Sequence, residues 1–239
     1  MGVKFKQMEV PASYRYTGFF DLLADSLYQH KLANGCTDPY LMNRHARASI
    51  LAGILSLESA ANCLIASLEV SSSFRNELDK LPVLAKIEAY FRFRNIEGFD
   101  RGRNEVQKII ELVRARNDFV HPKTTNIKTD VGQMEKEEGL YKLPMSLHGE
   151  HYQAVGIPKH AMFWSAENAL SALQSIVGFY QHIFTGLMQA SVEEIQELLL
   201  SRFEIQHVHI MSLFEEFKAE FTGASEFGID LGFLGVVEE

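Results

Sequence analysis

The segment "RARNDFVHPK" at residues 114–123 holds the side chains best suited to chemistry. Residues three or four apart share one face of an α-helix, so Arg114, Asn117 and His121 would lie on one stripe. Arg116 lies beside that stripe, although its long side chain can reach around the helix. A helix that ends in this segment therefore presents an imidazole, an amide and a guanidinium together.

These groups suit metal-independent cleavage of RNA. A neutral imidazole can remove the proton from a ribose 2′-hydroxyl. A guanidinium can neutralise the charge that grows on the phosphate, and an amide can orient the base or the phosphate. The C-terminal end of a helix favours a protonated imidazole, which helps a general acid more than a base. The alternative is structural, because basic residues near a helix end stabilise the helix dipole and Pro122 ends the helix.

The composition is that of an ordinary globular protein. Hydrophobic residues make up 46% and charged residues 23% of 239 residues, which is enough to bury a sizeable core. Cys36 and Cys63 follow no metal or disulfide spacing, so we expect reduced thiols in a cytoplasmic protein. We expect no cofactor.

The charge is unevenly distributed. The net charge of −8 is unfavourable for binding nucleic acid, but residues 92–123 contain eight basic and five acidic residues. The candidate RNA-binding residues in this stretch are Arg92, Arg94, Arg101, Arg103 and Lys123. In "FRFRN", at 91–95, aromatic residues alternate with arginines and could stack on single-stranded bases. The favoured alternative places Phe91 in the core and the arginines in solvent.

Hydrophobic periodicity predicts a mostly α fold, a helical bundle in a single domain of residues 1–239 with its core at about 38–221. Predicted helices cover residues 19–34, 39–68, 81–94, 105–120, 159–189 and 191–221. Ser191 and Glu194 form a capping box, and the serines at 71–73 begin a loop or break. In the helix at 105–120 the apolar face follows Val106, Ile109, Ile110 and Val113, and then Asn117 or Val120.

Two segments depart from this helical pattern. Residues 124–158 form a loop-rich insertion that could hold a β-hairpin. The tail at 222–239 is apolar and rich in glycine, and we expect it to pack as an extended segment against this chain or a partner.

The apolar segments at 50–68 and 169–188 approach the length of a membrane span. Their polar content and the absence of a basic flank favour buried core helices, so we expect no membrane contact. The alternative of a membrane-associated helical protein fails if the chain is soluble without detergent.

No metal site is predicted. His148 and His151 lie near Glu150 but need a third ligand, and the segment is loop-like. His207 and His209 are two apart on a predicted helix, so they face different directions.

The segment "RNDFVHPK" closely resembles the signature of the HEPN superfamily, with Arg116, Asn117 and His121 at the arginine, polar and histidine positions. Arg114 gives a second match with a longer gap of six residues. The segment "ASILAGILSLESAANCLIASL" is similar to the family's long first core helix, which often carries a glutamate near Glu58. "LDKLPVLAKIEAYF" resembles the segment that often follows. The resemblance covers about residues 40–123.

The resemblance implies a helical bundle that forms a homodimer, in which two motif helices meet and line one RNA-binding cleft. Active members are metal-independent endoribonucleases of toxin–antitoxin, anti-phage and RNA-processing systems. In this chain His121 would be the general acid/base, Arg116 would stabilise the phosphate and Asn117 would position it. Arg114 and Glu58 would support them. Glu58 lies on an apolar face and could pair with Arg116 or with its copy in the second protomer, and the favoured alternative is a structural ion pair or hydrogen bond in the core. An antitoxin or another protein could be a partner. The alternative is a non-catalytic module of the same fold that binds RNA or a protein in stress or defence.

Overall fold

The computed structural model describes residues 12–137, 140–142, 145–205, 208–211 and 215–236. Its α-helices in these residues are α1 (Phe19–Gly35), α2 (Pro39–Ala66), α3 (Ser72–Leu78), α4 (Val83–Phe93), α5 (Asn104–Val120), α6 (Ala166–Tyr180), α7 (Val192–Leu199) and α8 (Glu215–Gly223). The strands are β1 (Ala12–Arg15), β2 (Lys128–Val131), β3 (Glu135–Glu137), β4 (Leu140–Lys142), β5 (Met145–His148), β6 (Arg202–Ile205) and β7 (Val208–Met211). A π-helix, Gln181–Leu187, follows α6. The prediction of a mostly α fold is confirmed.

The chain divides into two compact units, each built from separate stretches of sequence. The first comprises the described parts of Met1–Ala24, Leu55–Phe99 and Ile183–Glu239. The second comprises the described parts of Asp25–Ile54 and Asp100–His182. The single domain expected from the sequence stays a prediction.

Local capping explains where several helices begin. The Asp38 carboxylate accepts a hydrogen bond from the Leu41 backbone N–H at 2.8 Å, directly before the proline that opens α2. The predicted capping box at Ser191 and Glu194 is confirmed at the start of α7. A second capping box at Ser165 starts α6 at Ala166 rather than at residue 159. The expected helix at 159–189 therefore begins later than predicted.

In the second unit, small residues allow α1, α2 and α6 to pack closely. The Ser26 hydroxyl donates to the Ser49 carbonyl and the Ser49 hydroxyl donates to the Ser26 carbonyl, each at 2.8 Å. Both serines are fully buried. A Cβ atom on Gly53 would lie 2.8 Å from Ile176 Cδ1, so α2 has no room for a side chain there.

The buried face of α5 differs in part from the predicted one. Val106 and Ile109 are fully buried as expected, but the face continues through Leu112 and Ala115. Val120 is 48% exposed. The buried face follows three-residue steps where α5 packs against α6, whereas Asn117 and Val120 near the helix end are exposed.

The insertion contains the expected β-hairpin. β2 pairs with β5 in antiparallel register, with Lys128 opposite His148. β3 pairs with β4 farther along, with Glu135 opposite Lys142. The prediction for 124–158 is confirmed in the residues that the structure describes.

The first unit contains an antiparallel sheet that the helical pattern did not predict, in the order β1-β6-β7. The expected continuous helix at 191–221 is therefore wrong, because α7 ends at Leu199 and a hairpin precedes α8. The residues of β6 alternate polar and apolar side chains, which suits a strand, and β1 and β7 supply its partners. His209 lies in β7, and His207 lies outside the described residues.

Two further expectations in the first unit are corrected. The serines at 71–73 start α3, where the Ser71 hydroxyl accepts the Phe74 backbone N–H, rather than only interrupting the chain. The tail is not extended over its described part. It forms two 3-10 turns, Ala224–Phe227 and Gly232–Leu234, and Leu234 is fully buried. The Leu234 carbonyl accepts a hydrogen bond from Gln196 of α7 at 2.9 Å.

Helix α2 is long and apolar enough to cross a membrane by length and composition. Its most apolar 18-residue window has a mean hydropathy of 1.6, and 61% of that window is buried. A mostly buried core helix has the same properties, so the helix is weak evidence for a span.

The buried histidine of α1 makes stability dependent on pH. His30 is 1% exposed, and burial lowers its pKa more than the Ala166 backbone and the Glu167 carboxylate raise it. The unfolded chain therefore takes up this proton more readily than the folded chain. The contribution of His30 to the free energy of unfolding is fully present above the ordinary histidine pKa of about 6.5. It is lost as pH falls below that value, by at most about 1.4 kcal/mol per pH unit.

We expect urea unfolding at pH 5.5 to give a lower free energy of unfolding than at pH 7.5. The His30→Gln variant should show a smaller difference between the two pH values. Burial also lowers the pKa of His182, so some dependence should persist in the variant. An unchanged difference in the variant would show that His30 is not responsible.

Candidate functional site

The motif lies at the end of α5 in the second unit. His121 is the residue after the helix, with φ −117° and ψ 63°, and its backbone N–H donates to the Asn117 carbonyl at 2.9 Å. Its side chain is exposed, and Pro122 follows. The proline cannot continue the helix, which fixes the histidine at the helix terminus.

The predicted stripe of Arg114, Asn117 and His121 is exposed. Arg114 and Asn117 are both exposed on the helix surface. Arg116 is half-buried, and its Nη1 donates to Asn117 Oδ1 at 3.1 Å. The predicted guanidinium and amide therefore contact each other directly.

A groove of about 850 Å³ opens beside the helix end. Its charged and titratable lining comprises Asp118, His121, Lys123, Lys159 and His160. Of the predicted catalytic and RNA-binding residues, His121 and Lys123 line this groove, whereas Arg114, Arg116 and Asn117 do not. A groove with two imidazoles and two ammonium groups can bind a phosphate and exchange protons with it.

Sequence reasoning missed Lys159 and His160. They lie in the turn between the insertion and α6, in a segment for which the sequence predicts a helix. The only local signal is a basic residue and a histidine directly after Pro158. Nothing in their spacing from the motif indicates that they reach the same groove, because 36 residues lie between Lys123 and His160 and the fold alone brings them together.

Asn43 and Trp164 fix residues 160–162, which form one wall of the groove. The side-chain amide of Asn43 donates to the carbonyls of Ala161 at 2.9 Å and Trp164 at 2.8 Å. The Trp164 ring is 1% exposed and stacks on Phe119, with ring centroids 6.0 Å apart. Phe119 itself lines the groove, so the aromatic pair joins the motif helix to the opposite wall.

Carboxylates of α5 fix the loop at 152–155. Glu111 accepts hydrogen bonds from the backbone N–H groups of Gln153, Ala154 and Val155, at 3.1, 2.7 and 2.9 Å. Asp118 accepts the Tyr152 hydroxyl at 2.6 Å. Burial, together with that bond, raises the pKa of Tyr152 well above its usual range, so the phenol stays protonated. These bonds set the course of the chain that leads to Lys159.

One ammonium group of the groove already has a carboxylate partner. Lys159 Nζ lies 2.7 Å from Glu150 Oε2, and both side chains are largely exposed. The lysine lowers the pKa of Glu150 through this hydrogen bond and its charge. An exposed pair of this kind is weak, so a bound phosphate can compete for the lysine.

The remaining predicted residues lie elsewhere on the chain. Glu58 is half-buried in the part of α2 that belongs to the first unit. Arg92 pairs with Glu88 at 2.8 Å and Arg94 ends α4, also in the first unit. The exposed residues Arg101 and Arg103 precede α5 in the second unit. Their roles in binding RNA, and that of Glu58 in supporting the motif, stay predictions.

Phe91 is buried, as the alternative interpretation of "FRFRN" required. Phe93 is 47% exposed and contacts the exposed ring of Phe74 at 5.8 Å. The aromatic residues of this segment therefore have different environments, and one of them lies in the core.

Within the described residues, no group of three or more histidine, cysteine, aspartate or glutamate side chains could hold a metal ion. Cys36 and Cys63 are both free thiols. Burial raises the pKa of Cys63 to about 11, so this thiol is protonated and unreactive at neutral pH.

A comparison of the chain with protein-family models, with curated proteins and with solved structures finds no match.

Proposed function

We propose that the protein is a HEPN-type, metal-independent endoribonuclease that acts through the groove at the end of α5. The observation that carries the proposal is that this groove places His121 and Lys123, from the motif, with Lys159 and His160 from a distant part of the chain. Two groups that can each transfer one proton, beside two cations, meet the needs of RNA cleavage by an internal hydroxyl.

In the proposed reaction one histidine removes the proton from the ribose 2′-hydroxyl. The 2′-oxygen then forms a bond to phosphorus while the bond from phosphorus to the 5′-oxygen breaks. The second histidine, in its protonated form, gives a proton to the departing 5′-oxygen. The products are a 2′,3′-cyclic phosphate and a 5′-hydroxyl, and no water or metal is consumed. His121 is proposed as one of the two proton carriers, and the lysines stabilise the phosphate charge.

Arg116 and Asn117 enter the proposal through a second copy of the chain. They lie outside the groove, on the exposed end of α5, where Val120 is 48% exposed. An apolar side chain beside exposed polar groups suits contact between protomers. In a homodimer joined at these helix ends, Arg116 would stabilise phosphate in a shared cleft, with Asn117 holding the guanidinium. A defence, stress or toxin role with an antitoxin partner belongs to the same proposal.

The same placement favours a second candidate. Arg116 is bonded to Asn117 rather than directed into the groove, which is what a structural role in a non-catalytic RNA- or protein-binding module would require. In that case His121 and the lysines would bind a partner without chemistry.

The test is cleavage of total cellular RNA by the purified protein in EDTA. We expect the wild type to cut and His121→Ala to lose about 10²- to 10⁴-fold in rate, because it removes a proton-transfer group. His151→Ala is the matched control, since His151 is exposed and does not line the groove. Solution mass shows whether each variant keeps the assembly state of the wild type.

Cutting by wild type and control, but not by His121→Ala, supports the nuclease. The RNA ends provide a second readout, because the proposed reaction leaves cyclic phosphates. Equal cutting by all three proteins would show a contaminating enzyme and contradict the role of His121. No cutting by any of them would contradict the nuclease and favour the binding module.

A further inference from the structure

The first unit holds a second cavity, which shares no lining residue with the proposed nuclease groove. Its volume is about 410 Å³, within the range of small-ligand sites. Three arginines line it: Arg15 from β1, Arg94 after α4 and Arg202 from β6. Arginine is well suited to bind phosphate because its guanidinium offers several donors in a fixed plane.

Strand pairing forces two of these arginines together. Arg15 and Arg202 lie directly opposite each other in the antiparallel pair of β1 and β6. Like charges in such a position destabilise a sheet unless other groups compensate them. Arg202 is compensated, because its Nε lies 3.2 Å from Glu204 and its Nη1 donates to the Glu197 carbonyl at 2.6 Å.

The positive charge of Arg15 has no carboxylate or carbonyl partner like those of Arg202 among the residues that the structure describes. Its Nη2 is buried and has no hydrogen-bond partner among the residues that the structure describes. A guanidinium that lacks a full set of acceptors and lines a cavity has hydrogen-bonding capacity that an anionic ligand can use. Arg94 is exposed at the cavity and can contribute a further donor to the same anion.

The cavity also has acceptors that constrain the rest of the ligand. Glu194 and Glu197 line it, and Glu194 is held by the Ser191 backbone N–H at 2.8 Å as the cap of α7. Tyr90 contributes an aromatic wall. Carboxylates repel a second anionic group but accept hydrogen bonds from hydroxyls. The lining therefore suits a molecule with one phosphate and a hydroxyl-bearing remainder.

We propose that this cavity is a binding site for a small phosphorylated molecule that carries hydroxyl groups, with its phosphate on Arg15. At neutral pH a phosphate monoester carries a charge of about −1.5 to −2. That charge offsets the repulsion between Arg15 and Arg202, and its oxygens accept hydrogen bonds from the guanidinium groups that line the cavity. The inference stands on the first unit alone and does not depend on the nuclease proposal.

The test is thermal unfolding of the full chain with ribose 5-phosphate, inorganic phosphate or ribose, at constant ionic strength set by sodium chloride. We expect Tm to rise with ribose 5-phosphate concentration, to rise less with inorganic phosphate, and to stay unchanged with ribose. Calorimetric titration gives the affinities. The Arg15→Gln variant should bind ribose 5-phosphate about 10- to 100-fold more weakly, since it removes charge-assisted hydrogen bonds.

Arg92→Gln is the matched control, because Arg92 lies on the same helix as Tyr90 but outside the cavity. Without ligand, Arg15→Gln should be at least as stable as the wild type, since it removes the like-charge pair. That result would show that lost binding is not lost folding. No rise in Tm with either phosphate compound, or an equal rise in wild type and Arg15→Gln, would overturn the proposal.

Discussion

Replacing Trp164 with alanine is expected to lower the free energy of unfolding by about 3–5 kcal/mol, the range for removing a large buried aromatic side chain. The indole is 1% exposed. Its Nε1–H donates to the Pro158 carbonyl at 2.8 Å in a buried position. The substitution would open a cavity against Phe119 and leave that carbonyl without its donor. The loss should also loosen the groove wall next to His160.

Trp164→Phe separates the two contributions, because it keeps an aromatic ring but lacks the N–H. We expect it to cost about 1–3 kcal/mol, mainly from the unsatisfied carbonyl. Urea unfolding followed by circular dichroism measures all three proteins. Trp164 is also the one tryptophan in the chain, so its fluorescence reports directly on this site in the wild type. A loss below about 1 kcal/mol in the alanine variant would contradict the close packing of Trp164 against Phe119.

Replacing Glu111 with alanine is expected to cost about 2–3 kcal/mol, because its carboxylate accepts backbone N–H groups from Gln153, Ala154 and Val155. Water can satisfy the Gln153 N–H, which is on an exposed residue, but Val155 is 5% exposed. The loop would lose its attachment to α5, and hydrogen exchange at residues 153–155 should accelerate more than in the rest of the second unit.

Glu111→Gln is the matched control, since its amide oxygen still accepts hydrogen bonds at the same position but carries no charge. We expect it to lose about half as much stability as the alanine variant. Equal exchange rates at residues 153–155 in wild type and Glu111→Ala would contradict the anchoring role. If the protein cleaves RNA, the alanine variant should also cleave more slowly, because the loop leads to the groove residues Lys159 and His160.

Local sequence alone determined most of the helices and the position of the motif. Some signals act between residues that are close in the chain and can be recognised without the fold. They are the helical spacing through α2, the cap at Asp38 and the capping box at Ser191. The placement of His121 at a helix end follows in the same way from Pro122. The hairpin in the insertion was also expected, from its turn residues and its lack of helical period.

Tertiary structure decided the features that depend on distant partners. Residues 202–205 form a strand because β1 supplies backbone partners from the other end of the sequence, which no local pattern indicates, and residues 208–211 pair with that strand in turn. Gly53 weakens a helix by its own propensity, yet the close approach of Ile176 requires it there. For the same reason, only the fold could bring Lys159 and His160 to His121 and could set Arg15 opposite Arg202.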